Sequence, residues 1–118
     1  MGSLWESLVV DAQDPARLAR WWAEALDYQV TYETPDEVTI CRSTDGTPSL
    51  TFVRVTEAKG SAKNRLHIDL RPIDQEAEIE RLVNMGARHV NIGQSEDDPW
   101  TVLADPEGNE FCVLRQRG

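Results

Sequence analysis

Two halves of this chain carry the same order of signals at a constant spacing, and that repeat narrows the possible folds more than any other feature. Ser7 lies seven residues before Asp14, which with Pro15 marks a helix start: Asp as N-cap, Pro at the first helical position. His67 lies seven residues before Asp74, which caps a second helix, so both points are offset by 60. Further on, Leu50-Thr51-Phe52 matches Phe111-Cys112-Val113 at an offset of 61. A repeat of about half the 118 residues predicts a duplicated module, each copy covering one face of its own sheet with its own helix.

The elements fall in parallel order. In the first half, residues 4–12 alternate as a strand. Leu18, Trp21, Trp22, Ala25 and Leu26 then recur at helical spacing, and Asp27 ends that helix. Residues 28–31 resume an extended chain, and 38–42 and 49–55 read as two strands joined through Thr44-Asp45-Gly46. Residues 56–64 are polar and read as a linker. In the second half, 65–71 alternates as a strand, and the helix after Asp74 turns Ile79, Leu82 and Val83 inward, with Gly86 just past its end. Residues 88–92 form a short strand, and 100–104 and 110–114 form two more around Asp105-Pro106-Glu107-Gly108-Asn109. The expected fold class is α+β. A single domain over 1–118 pairs two βαβββ modules, about 4–56 and about 65–115, whose curved mixed sheets enclose a central cup.

Alternation sorts the strand faces. Leu8, Val10 and Ala12 face the first helix, leaving Trp5, Ser7, Val9 and Asp11 on the other side. Leu66, Ile68 and Leu70 face the second helix, leaving Arg65, His67, Asp69 and Arg71. In the last strand Phe111 and Val113 face the helix, and Glu110, Cys112 and Leu114 point away. These second faces are polar. They read either as the solvent side of a two-layer sheet or as the lining of the cup, and the repeat favours the cup.

Charge and composition exclude several function classes. Lys plus Arg is 12 against 21 for Asp plus Glu, a formal net charge of −9, and no basic cluster offsets it, so no nucleic-acid partner is expected. No apolar run is long enough to span a bilayer, and no signal peptide is visible at the N-terminus, so no membrane partner is expected either. Two cysteines, Cys41 and Cys112, make no disulfide framework; free thiols in a reducing cytoplasm are expected, with Cys41 packed in the core.

Three segments, Asp14-Pro15 leading into Trp21-Trp22, LHIDL at 66–70 and DPEGNEFCVL at 105–114, together resemble the vicinal oxygen chelate superfamily. That superfamily includes glyoxalase I, bleomycin-resistance proteins and extradiol dioxygenases, and the resemblance is nearest to its glyoxalase-like domain proteins. It covers nearly the whole chain and implies paired βαβββ modules around a cavity, often completed by dimerisation. It also implies that a divalent ion, in members that use one, would sit at Ser7, Thr51, His67 and Cys112. Only His67 is a usual ligand there; Cys112 stands in place of a carboxylate, and Ser7 and Thr51 are poor donors. Asp69 and Glu110 lie near, but strand neighbours two apart are separated by roughly 7 Å, which hinders a shared grip on one ion. No metal and no other cofactor is therefore expected.

His67 is the sharpest candidate. It reads either as a general base or hydrogen-bond donor, or as a structural histidine bonded to Asp69, Glu110 or a backbone carbonyl. Cys112 faces it, and a Cys–His pair can make a nucleophilic thiolate, although free cysteines are commonly buried packing residues. Trp5 and Trp100 are candidates for stacking on a planar or cationic ligand. Asp11, Asp69 and Glu110 give the faces negative charge suited to a basic ligand, unless they close an internal salt-bridge network. His89 has no assigned partner and reads as structural, and Glu76, Glu78 and Glu80 read as a solvated helix face.

The expected function is metal-free small-molecule binding, with an aromatic or cationic ligand contacted by Trp5, Ser7, Asp11, Thr51, Asp69, Trp100, Glu110 and Cys112. The alternative is a lyase or isomerase using His67 as base, with or without an atypical divalent metal; a structural or regulatory module is a third reading. A homodimer is expected.

Overall fold

The computed structural model describes the chain except residues 1, 3, 4, 45, 47, 61, 63, 65, 91–97 and 116–118. It divides into two compact units, Met1–Ala58 and Lys59–Gly118.

In the first unit the order is β1 (Ser7–Ala12), α1 (Pro15–Leu26), β2 (Gln29–Thr34), β3 (Glu37–Cys41) and β4 (Ser49–Arg54), with sheet order β1-β4-β3-β2. β1 and β4 are parallel, as a crossover through a helix requires, and the other pairs are antiparallel. The Asp14 side chain accepts a hydrogen bond from the Arg17 N–H at 3.2 Å, and Asp27 closes the helix in the left-handed region at φ 57°. α1 packs on β3 and β4, burying Leu18, Trp21 and Trp22 against Val38, Ile40, Leu50 and Phe52. Trp21 and Trp22 meet edge to face, 5.0 Å between ring centroids. Arg20 donates two hydrogen bonds to Glu33, tying α1 to β2.

The second unit repeats the plan: β5 (Asp69–Leu70), α2 (Gln75–Asn84), β6 (Arg88–His89), β7 (Trp100–Ala104) and β8 (Glu110–Leu114), in sheet order β5-β8-β7-β6. Asp74 caps α2 by accepting from the Ala77 N–H at 3.1 Å, and Gly86, past its end, takes φ 115°. Leu82, Leu103, Phe111 and Val113 are fully buried. Register confirms the duplication rung by rung. Val9 pairs with Thr51 in the first sheet and Asp69 with Cys112 in the second, the offsets of 60 and 61 read from the sequence.

Some expected boundaries move. Trp5 precedes β1 instead of lying in it, and its indole N–H donates to the Ser7 carbonyl at 3.2 Å. β2 runs to Thr34 because Pro35-Asp36 makes a tight turn into β3, a hairpin not anticipated from the sequence. The strand expected over 65–71 shrinks to Asp69–Leu70, with Cys112 N–H still donating to the Ile68 carbonyl at 2.9 Å. Leu66, expected against the helix, is 77% exposed. Upstream, the Asn64 N–H donates to the Glu110 carboxylate at 2.9 Å instead of to a backbone carbonyl, and downstream Pro72 has no N–H to extend the ladder. Leu4, Arg65, Asp45, Asn91 and Ile92 lie outside the described residues, so the ends of the 4–12, 65–71 and 88–92 strands and part of the Thr44-Asp45-Gly46 turn do too.

Candidate functional site

The polar sheet faces are where alternation puts them, and in the second unit they build a cluster. Asp69 and Cys112 are cross-strand partners, so their side chains leave the sheet on one side, away from α2. His67 lies two residues upstream on the same side. Its Nε2 is 3.1 Å from Asp69 Oδ1, with the two side chains about half exposed. One donor atom from each of His67, Asp69 and Cys112 lies within 4.8 Å of the others, and Cys112 is buried beneath the exposed pair. The separation of roughly 7 Å expected between strand neighbours does not apply to the side-chain ends. His67 precedes the paired part of β5, so its ring is free to lean onto Asp69.

The first unit builds no such cluster. Ser7 occupies the position of His67, and Val9, not a carboxylate, occupies that of Asp69. Thr51 is half-buried, and its hydroxyl shares a hydrogen bond of 3.0 Å with Thr39. Asp11 is exposed and Trp5 is 64% exposed, both with open surface for contact. Trp100 begins β7 opposite Leu114 and is about one-third exposed.

Glu110 stands apart from the His67 cluster. Its side chain is nearly buried, and it accepts from the Asn64 N–H and pairs with Lys59 Nζ at 3.1 Å. Burial pushes this carboxyl up, but the Asn64 N–H and the Lys59 ammonium outweigh it and hold the group below its ordinary value. The Lys59 ammonium also donates to the carbonyls of Gly60 and Ala62. For Glu110, then, the internal ion-pair reading is the one realised. Sequence reasoning passed over Lys59 and Asn64 because a polar stretch without periodicity gives no sign of a partner 46 positions away.

For a family-type ion, the donor set fits only in part. His67, Asp69 and Cys112 supply nitrogen, oxygen and sulfur within one unit, a set that zinc accepts. Ser7 and Thr51 bring only hydroxyls, that of Thr51 already shared with Thr39.

Residues 7–114 match the sequence profile of the glyoxalase-like domain, and the chain belongs to this family, within the vicinal oxygen chelate superfamily. No curated protein matches the sequence significantly. Among solved structures, the fold is similar to that of an antibiotic-binding protein from a Streptomyces species, at 18% identity and TM-score 0.66 over 98% of this chain and 97% of that one. It is similar to the bleomycin-binding protein of Streptomyces verticillus, complexed with copper(II)-bleomycin, at 17% identity and TM-score 0.63 over 99% of each chain. It is also similar to the trypanothione-dependent glyoxalase I of Leishmania major, at 14% identity and TM-score 0.71 over 98% of this chain and 88% of that one. Among the described residues no helix is long and apolar enough to cross a membrane.

Proposed function

We propose that this protein binds an aromatic or cationic small molecule without a metal ion. The observation that carries the reading is the difference between the two sheet faces at matched positions: one unit offers His67, Asp69 and Cys112, the other Ser7, Val9 and Thr51. In the first unit the exposed Asp11 and Trp5, and in the second the exposed Asp69 and partly exposed Trp100, each offer groups that suit contact with a flat, positively charged molecule. The antibiotic-binding and bleomycin-binding proteins of similar fold support small-molecule binding. Both cysteines are buried and neither forms a disulfide with a described residue, in keeping with a reducing cytoplasm. A homodimer completes the proposal. Titration with a planar aromatic cation such as ethidium, read by tryptophan fluorescence, tests it. Saturable quenching with the same Kd in EDTA is expected, and loss of binding in EDTA contradicts it.

The His67–Asp69–Cys112 cluster favours one second reading, an enzyme in which Asp69 orients His67 as a base and an atypical divalent ion can sit on the three donors. Under this reading His67→Ala abolishes turnover of any substrate found, with the fold intact by circular dichroism. Unchanged turnover removes His67 from the chemistry.

A further inference from the structure

A cleft of about 450 Å³ opens within the second unit, lined by residues from three places: Lys59 and Gly60, the β6 end with Arg88, His89 and Val90, and the β7–β8 hairpin with Ala104, Glu107, Gly108 and Glu110. That volume is in the range of small-ligand sites. It does not include His67, Asp69 or Cys112.

The charged lining divides into groups already satisfied and groups that are not. Lys59 and Glu110 are the enclosed pair, 17% and 12% exposed, and they neutralise each other. The Lys59 ammonium is further occupied by two carbonyls and the Glu110 carboxylate by the Asn64 N–H, so neither is available to a guest. Glu107 has partners of its own. The Arg88 side chain is exposed and makes no hydrogen bond or ion pair with any described residue, whereas His89 pairs with Leu103, so its side chain leaves the sheet on the opposite face. Arg88 pairs with Ala104 across the ladder, so the guanidinium leaves the sheet on the same side as that small side chain. Gly60 and Gly108 put bare backbone along the opening. A Cβ at Gly60 would meet nothing within 4 Å, and one at Gly108, where φ is +91°, would meet only the Lys59 stem at 3.9 Å.

We infer that this cleft is a binding site for a small organic oxyanion, a carboxylate or phosphate monoester, held by the Arg88 guanidinium. A guanidinium reads two oxygens of one planar or tetrahedral anion at once, which an ammonium does not. The glycine-lined opening leaves room for the body of the guest. This goes beyond the aromatic-cation reading, since residues, location and ligand charge all differ.

The test is an NMR titration of the ¹⁵N-labelled full chain with benzoate, phenyl phosphate, the neutral benzamide and the cationic benzylammonium. Benzoate, phenyl phosphate or both shift the amides of Gly60, Arg88, His89 and Gly108, while benzamide and benzylammonium leave them in place; whichever anion binds more tightly identifies the oxyanion. Arg88→Gln weakens that binding at least tenfold, and Arg17→Gln, on α1 of the other unit, leaves it unchanged. Equal shifts with benzamide, no shift with either anion, or unchanged affinity in Arg88→Gln overturns the assignment. Ethidium binding is measured separately on the same variants, so failure of one reading is not mistaken for failure of the other.

Discussion

Asp105 is the one fully buried acidic residue among those described, and its contacts explain why a charge is tolerated there. One carboxylate oxygen accepts from the Glu107 N–H at 2.9 Å and the Asn109 N–H at 3.0 Å, and the Asn109 side-chain amide reaches both oxygens. Asp105→Ala strands those donors, and a urea denaturation series should show a loss of about 2 kcal/mol or more. Glu110 gives a pH-dependent prediction. Its carboxyl is held below its ordinary value in the folded state, so its contribution is complete above the usual carboxylate range and is lost as pH falls through the lowered value. Urea midpoints taken between pH 7 and pH 3 should therefore fall less steeply in Glu110→Gln than in the parent chain. Both residues sit in or beside the DPEGNE segment, yet only the turn was legible there. Asp-Pro-x-Gly-Asn announces its own conformation locally, whereas the partners of Glu110 belong to a stretch with no pattern.

At the scale of elements, the helix ends were legible in the sequence, whereas the Pro35-Asp36 hairpin and the length of β5 were not. The caps at Asp14 and Asp74, the end of α1 at Asp27 and the glycine after α2 depend on a few adjacent residues, and each lies where expected. The length of β5 depends on what β8 and Asn64 do elsewhere, and alternation over 65–71 overstated it. The convergence of His67 on Asp69 was legible as an alternative only, because backbone spacing does not fix where side-chain ends meet. Asp14→Ala removes a first-turn acceptor and should cost about 1 kcal/mol of stability, with Asp14→Asn close to neutral; thermal denaturation followed by circular dichroism reads both.

For the whole molecule, the duplication was the most legible property because it rests on register, and register leaves a spacing of 60 or 61 in the sequence. The duplicated halves differ at the matched positions of the cluster, with Asp69 at the position of Val9 and Cys112 at that of Thr51. Light scattering on the eluted protein should return twice the chain mass of 13.3 kDa if the homodimer proposal is right, and the chain mass itself would refute it. The central claim, ligand binding without a metal, is tested most directly by native mass spectrometry of protein purified without chelator and mixed with ethidium. The account predicts ethidium adducts on the metal-free species. Adducts confined to a species carrying one zinc-class ion per chain would contradict it and move His67, Asp69 and Cys112 from ligand contacts to metal ligands.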